Sequence, residues 1–524
     1  MNKRILLPLI LSALYFVLIF LINPAIGVTW DEPTYFSCAL SFSEASSFSE
    51  AKEVLNCVPE HPHFVKTLGG VSHKLTSSFL DITTSLRFGM FVLAAVFIYL
   101  FFISISSLFG GFVALASTLI LITMPKVFFH ANLLSMDFAV MVFVFLTAMS
   151  FYYLLEKGGK KWILLFALSF SFLLINKIMG YAIILPLMLY GSYGLYGKAK
   201  ISNEKLKEFK PLLLSLTLAL VLLFILLFGN LAAFFYPFQS TQFQSGFGDD
   251  KVQHTVLLFG KELSSSSLVA DIFYVPMHLF TSFNSLLVLM SLLGLILLIK
   301  NRKEHSAMPL LIVAFITLYL VFSFVMPKYD NERNFLLLFP FLAIFGGYGA
   351  KWIVDKIKSN YSKAIVITLI AILGFTTLYL AHPFYSSYFN AFVGGTGGVA
   401  NNNIMTVTYW QPELVYTLDF LNSLPEGSSI TVPGASEPYI WYQKIGKIRD
   451  DIVFQASPPD YLGLVLKQDL FLKFSPEPDR SQRPIDTPWE FYYKTPPQFI
   501  AYNVTTKDGV DLVKIYKVKG LFGP

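Results

Sequence analysis

The chain has 524 residues, of which 55% are hydrophobic and only 14% charged. Soluble domains carry about a quarter charged residues, so this composition excludes a soluble globular protein and points to an integral membrane protein. The net charge of +6 does not mark a nucleic-acid binder: Lys and Arg fall in short blocks between apolar runs, which is how membrane topology is written.

A helical span needs about 20 apolar residues. The first run, Ile5 to Ile22, follows Lys3 and Arg4. It is long for a signal-peptide core and has no clear small-x-small site before Thr29, so it reads as a retained helix with its N-terminus inside. Further spans are predicted at 87–107, 109–124, 137–155, 162–176, 179–197, 211–230, 275–299, 307–326, 334–350 and 364–381, about eleven with the first at 5–26. Alternating them puts every strong basic block on the cytoplasmic side: Lys157, Lys160 and Lys161; Lys198, Lys200, Lys205, Lys207 and Lys210; Lys300, Arg302 and Lys303; Lys351, Lys356, Lys358 and Lys363. The other side receives the long loop 27–86, a short loop at 125–136, a turn at 176–178, the loop 231–274, a short loop at 327–333 and the tail.

From about residue 382 the chain is richer in Pro, Gly, Asn and charge. Thr408–Leu424 reads as a helix, and Ser429–Val432, Phe499–Asn503 and Val513–Val518 as strands. The expected organisation is a membrane domain over 1–381 and a small α/β extracytoplasmic domain over 382–524, long enough to bury its own core. Cys38 and Cys57 both lie in the first outer loop. An oxidising compartment permits a disulfide there, and two free thiols fit equally well.

The ionisable groups are unevenly placed. The predicted spans are almost free of charge at mid-membrane, while Asp31, Glu32, His61, His63, Lys66, Arg87, Lys126, His130, Asp137, Lys177, Lys328 and Arg333 gather at the outer rim. Ion-coupled transporters place such groups near the midplane, so this pattern favours an enzyme working on a membrane-bound substrate. Lys66, Lys126, Lys177, Lys328 and Arg333 oppose the inside-positive trend. One outer lysine is ordinarily a snorkelling side chain. Five cations beside carboxylates match a polyprenyl-phosphate headgroup. The acidic pair Asp31-Glu32, in Gly27-Val-Thr-Trp-Asp-Glu-Pro-Thr-Tyr35, sits where the first helix leaves the bilayer. Its bland reading is a cap for a short helix begun by Pro33. Asp137, after Ser135, has the same bland reading, with a cationic partner as the alternative.

At these residues the chain resembles the GT-C superfamily of membrane glycosyltransferases, and most of all the branch of the protein O-mannosyltransferases and the lipid A aminoarabinose transferase. The likeness covers roughly residues 1–400. Asp31-Glu32 matches the acidic pair of the family's first outer loop, and His61-Pro-His-Phe-Val-Lys66 its His-Pro-Pro-x-x-Lys segment, with His63 replacing the second Pro. Pro125-Lys-Val-Phe-Phe-His130 through Asp137 is similar to the approach to the fourth span. Asn176-Lys177 resembles a Thr/Ser-Lys, and Arg333 with Pro340 and Gly346-Gly-Tyr-Gly349 a late Arg…Leu-Pro…Gly segment. The resemblance implies a GT-C-like fold, a dolichyl- or undecaprenyl-phosphate sugar donor and inverting transfer to an extracytoplasmic acceptor.

Glycosyl transfer passes through an oxocarbenium-like state, and the acceptor must lose a proton as it attacks. Asp31 is the candidate general base, matching the family's catalytic position, with Glu32 as a helper orienting the acceptor or Lys66. The phosphate leaving group needs positive charge, for which Lys66, Lys177, Arg333 and Lys126 are candidates. His61, His63, His130 and Asp137 are candidate substrate contacts. A divalent metal held by them and the carboxylates is the less favoured alternative: they lack tight His-x-x-x-His spacing, and a phosphate leaving group with cationic partners does not demand a metal, so no cofactor is assigned. Expected partners are the lipid-linked sugar, a protein, lipid or glycan acceptor, and membrane lipid. The expected location is the plasma membrane, or the endoplasmic reticulum in a eukaryote, with the N-terminus cytoplasmic. The competing readings are a flippase or transporter of lipid-linked sugar and a non-catalytic scaffold that binds it.

Overall fold

The computed structural model describes residues 3–198, 205–239, 255–302, 307–357, 359–433, 436–456, 459–467 and 500–518. The protein is a helical membrane bundle followed by a small sheet. In chain order the helices are α1 (Lys3–Ile22), α2 (Glu32–Glu44), α3 (Phe48–Lys52), α4 (Phe64–Thr76), α5 (Ile82–Phe109), α6 (Gly111–Ile122), α7 (Pro125–Ala131), α8 (Met136–Lys157), α9 (Lys160–Leu174), α10 (Ile184–Lys198), α11 (Lys205–Leu226) and α12 (Tyr236–Gln239). After a short hairpin of β1 (Thr255–Leu258) and β2 (Lys261–Ser264) come α13 (Leu268–Thr281), α14 (Ser285–Lys300), α15 (Met308–Phe324), α16 (Phe339–Lys356) and α17 (Ser362–Ala381).

Each predicted apolar run coincides with helix, but the spans are less uniform than hydropathy implies. Among the described residues five helices are long and apolar enough to cross a membrane, or seven if each bent pair counts as one span; Ile178–Ser192, Lys210–Leu226 and Met308–Phe324 are shorter. The run read as one span at 275–299 is two helices, α13 and α14, bent by 119°, and α6 meets α7 at 73°. Both breaks follow from local chemistry. Asn284 caps α14, its side chain accepting from the Leu286 amide, and Pro125 begins α7 as a first-turn residue whose missing N–H costs nothing. Close packing is set by small residues: a Cβ on Gly294 of α14 would collide with the Phe345 carbonyl of α16, and one on Gly349 with the Met290 carbonyl.

Beyond α17 the described residues form α18 (Gly395–Asn401), α19 (Leu418–Asn422), α20 (Glu437–Lys444) and five strands: β3 (Ser429–Thr431), β4 (Val453–Phe454), β5 (Tyr461–Val465), β6 (Ile500–Thr505) and β7 (Asp511–Lys517). Their order is β4-β3-β5-β7-β6, with β3 parallel to β4 and β5 and the pairs β5–β7 and β6–β7 antiparallel. Thr408–Leu424 is not one helix: Gln411 is left-handed (φ 61°), Pro412–Thr417 is a 3-10 turn, and only Leu418–Asn422 is α-helical. The sheet region is tied to the bundle through α20. Trp441 packs on Phe36 at 4.8 Å and donates to Thr83 Oγ1 at 3.3 Å. Of the predicted loop 231–274, residues 240–254 lie outside the described residues, as do Lys200, Lys303, Lys358 and Phe499.

Cys38 on α2 and Cys57, after the turn that follows α3, form a disulfide with Cα atoms 5.8 Å apart, which answers the question the sequence leaves open. The bridge closes a loop whose ends are 19 residues apart. Chain entropy assigns such a loop about 3 kcal/mol. Cys38→Ser/Cys57→Ser is therefore expected to lower unfolding free energy by about that amount. An unchanged denaturation midpoint in detergent would refute this.

Candidate active site

The two adjacent carboxylates are separated by the start of α2. Glu32 is fully buried and held from all sides. Arg87 reaches it through Nε at 2.8 Å and Nη2 at 2.5 Å. The amides of Leu134 (2.8 Å) and Thr29 (3.0 Å) and the Thr29 hydroxyl (3.2 Å) also donate to it. Arg87 in turn donates to the carbonyls of Ile26 at 2.9 Å and Gly27 at 3.0 Å. This network locks the exit of α1 to α5, whose start is set by Asp81 accepting from the Thr83 and Thr84 amides. Asp31 occupies the N-cap position of α2 but makes no cap bond. Its side chain, 29% exposed, faces Arg333, whose Nη1 donates to Oδ2 at 2.9 Å. The pair read as a catalytic unit is thus split, with Asp31 in the cleft and Glu32 inside the frame.

Arg333 is the hub. Besides Asp31 it pairs through Nη2 with Asp330 at 3.1 Å, and its guanidinium lies 4.6 Å from the Trp410 ring centre and 5.4 Å from that of Tyr329. Asp330 and Asn331 adopt left-handed backbone (φ 50° and 54°), which turns the chain sharply just before Arg333. Lys467, just beyond β5, bonds Asp330 at 3.2 Å, so the sheet region reaches the site. The two carboxylates sharing Arg333 are pushed apart. Burial raises Asp31; Arg333 opposes this without overcoming it, and the neighbouring Asp330 adds to the rise. Burial also acts to raise Asp330, but Lys467 and Arg333 outweigh it and hold that group below the usual carboxylate range. Asp31 is therefore the more basic of the two, the division expected where one carboxylate accepts a proton and the other stays charged.

Lys177 stands beside this hub. It donates to Asp137 Oδ1 at 2.6 Å and to Asn334 Oδ1 at 3.0 Å. Asp137 follows Ser135, the N-cap of α8, and its carboxylate takes the lysine rather than capping the helix. The His61 ring meets the Tyr35 edge at 5.8 Å. Burial and the nearby Lys177 and Lys66 push His61 down to about 3, so it is a neutral imidazole here. Asp31, His61, Asp137, Lys177 and Arg333 thus gather in one cluster.

Of the other predicted site residues, His130 stays beside the hub, its ring 5.4 Å from that of Trp410, while Lys66, His63 and Lys126 are engaged elsewhere. Lys66 is buried in α4 and donates to the carbonyls of Cys57, Val58 (3.1 Å) and His61 (2.7 Å), tying down the disulfide loop instead of facing the cleft. His63 bonds Thr67 Oγ1 at 3.0 Å and lies against Phe228, and burial with Lys66 nearby brings it to about 3. Lys126 is fully buried, donating to the Ser386 carbonyl and pairing with Glu332 at 3.4 Å. His130 Nε2 contacts the Tyr409 hydroxyl at 3.0 Å, and that hydroxyl donates to Glu332 at 3.1 Å. Lys328 pairs with Asp271 at 2.5 Å. Among the described residues no three His, Cys, Asp or Glu converge as a metal site.

Sequence reasoning missed Asp330, Glu332, Asn334, Tyr409, Trp410 and Lys467. The most consequential omission is the segment 404–416, which threads between the two loops that carry Asp31 and Arg333. The Ile404 carbonyl accepts from the Phe259 amide at 2.9 Å, the Thr406 carbonyl from Asn331 at 2.9 Å, and the Trp410 carbonyl from the Trp30 amide at 3.0 Å. The Tyr416 hydroxyl reaches the Ala25 carbonyl at 2.7 Å. A Cβ on Gly27 would strike the Pro412 carbonyl, so that strap passes where only glycine fits. The sequence signals were Pro412 and the cluster Tyr-Trp-Gln-Pro at 409–412, which break a helix and supply an aromatic face.

No family model matches the sequence, and no curated protein matches it either. Solved structures do. ArnT from Cupriavidus metallidurans in the apo state aligns over 98% of both chains with a TM-score of 0.51 at 12% identity. ArnT from the same organism bound to undecaprenyl phosphate gives a TM-score of 0.49 over the same shares, also at 12% identity. The likeness runs along nearly the whole of each chain: the fold of this protein is the one seen in ArnT.

Proposed function

We propose that the protein is an inverting membrane glycosyltransferase that moves a sugar from a polyprenyl-phosphate donor to an extracytoplasmic acceptor, with Asp31 as general base. The observation that carries this reading is Arg333 held between two carboxylates of opposite tendency, Asp31 raised and Asp330 kept charged. In the proposed step an acceptor oxygen or nitrogen attacks the anomeric carbon and gives its proton to Asp31. The bond from that carbon to the phosphate oxygen breaks, and the polyprenyl phosphate leaves with the electron pair. Arg333 and Lys177 face the developing negative charge; Lys177 makes two bonds among the described residues, and its ammonium has three donors. Trp410 fixes the guanidinium plane, and Glu32 with Arg87 holds the loop that presents Asp31. The basic blocks of the sequence support a cytoplasmic N-terminus and a cleft on the outer side.

The test is purified protein given radiolabelled polyprenyl-phosphate sugars with protein, lipid and glycan acceptors, the anomeric configuration of the product being read by NMR. Transfer with inversion is expected. Movement of the donor across a bilayer without transfer would replace this reading with a flippase, and binding with neither would replace it with a scaffold.

A further inference from the structure

A second cavity, of about 800 Å3, lies away from the cleft: Asp31, Asp137, Lys177 and Arg333 do not line it. It sits where the bend between α13 and α14, the last turns of α17, the chain just beyond them and the β6–β7 turn come together. Its volume is in the range of ligand sites, roughly 300–1,000 Å3. One wall is apolar membrane helix, with Ile372, Leu373 and Leu380 of α17. Ile372 and Leu380 are each 58% exposed, so this wall continues onto the lipid-facing surface of the helix.

The opposite end is polar. Ser285, the first residue of α14, lines the cavity, and its buried hydroxyl has no hydrogen-bond partner. That hydroxyl keeps a free donor for an oxygen entering the cavity. It stands at the N-terminus of a 16-residue helix, where the peptide dipoles favour an anion. Asn284 beside it is already engaged, with the Leu286 amide at 3.0 Å and Thr377 Oγ1 at 3.1 Å. Lys507 in the β6–β7 turn adds a cation at the mouth. It donates to the Tyr379 carbonyl at 2.6 Å and lies 4.2 Å from the centre of that ring, which fixes the turn against the end of α17. Asp508 also lines the cavity. Its carboxylate accepts from the Gly397 amide at 3.0 Å and the Thr506 hydroxyl at 2.5 Å, bonds that temper its charge.

We propose that this cavity binds a bilayer phospholipid, its acyl chain along α17 and its phosphate between the Ser285 end of α14 and Lys507. An apolar trough open to the hydrocarbon, ending in an unpartnered hydroxyl, a helix N-terminus and a lysine, matches the two halves of that molecule. The site is independent of the transfer reaction, and its test does not use transfer as a readout.

The full chain, in phosphatidylcholine nanodiscs doped with phosphatidylglycerol carrying a photoreactive acyl chain, is irradiated and mapped by mass spectrometry. Crosslinks are expected within residues 372–396. Thr376→Trp/Leu380→Trp, at positions on the exposed side of the helix, should lower that labelling about tenfold, and Lys507→Glu should do the same through loss of a charge-assisted bond. Should the tryptophan variant lose its thermal transition, Lys507→Glu, at an exposed turn, carries the test alone. Labelling spread over all exposed helices and indifferent to Lys507→Glu overturns the proposal. So does displacement of the probe by undecaprenyl phosphate at equal concentration, which would make this a donor or product site.

Discussion

Asp31→Asn is expected to reduce sugar transfer by about 10²–10⁴-fold, the range a positioned general base supplies, with the thermal midpoint of the protein unchanged. The substitution keeps the shape of the side chain and an oxygen for Arg333, removes the charge together with the capacity to take a proton, and leaves Asp330 as the anionic partner of Arg333. Its effect should therefore appear in turnover and not in donor binding. The parent protein should lose activity as pH falls through the Asp31 value, because only the carboxylate form accepts the proton. Burial, with Asp330 close by, raises that value above the ordinary carboxylate range, so the acid limb should lie higher than for an exposed aspartate. Full turnover by Asp31→Asn, measured on labelled donor, would remove Asp31 from the mechanism.

Glu32→Gln is expected to fail in a different way. Arg87 is 1% exposed, and its side chain has no anionic partner but Glu32 among the described residues. Removing one member of a buried pair leaves a charge in a poorly polarisable interior and typically costs about 3–5 kcal/mol. The amides of Thr29 and Leu134 would also lose part of their acceptor. The expected result is a lower thermal midpoint and lower yield, while the fraction that remains folded turns over near the parent rate. Glu32→Leu/Arg87→Met should recover part of the lost stability, because the orphaned charge is gone. A Glu32→Gln protein as stable as the parent, yet inactive, would return Glu32 to the chemistry.

These neighbours show what the sequence could and could not disclose. Hydropathy located the membrane helices, since about 20 apolar residues have few alternatives in water. Alternation located β3, β6 and β7. The crowding of charges at loop ends drew attention to Asp31, Lys177 and Arg333. Their assignment to one cleft needed coordinates: Asp31 and Arg333 are 302 residues apart, and Glu32 finds Arg87 across 55. Lys66 and Lys126 carry the same charge as Lys177 and sit in similar sequence surroundings, but backbone carbonyls and Glu332 occupy them. Only side-chain direction separates these cases. Thr408–Leu424 has helical periodicity, and Pro412 with the left-handed Gln411 overrides it.

The strap at 404–416 also bears on how the protein is made. Asp31 leaves the ribosome some three hundred residues before Arg333, yet the aromatic face against which Arg333 lies, Trp410, is synthesised only after α17. Lys467, the partner of Asp330, comes later still. A nascent chain can thus hold every transmembrane segment in the bilayer while its cleft lacks one wall. Completion of the cleft therefore waits on the chain beyond residue 404, and a translation product halted between residues 381 and 404 is expected to insert and anchor with that wall missing.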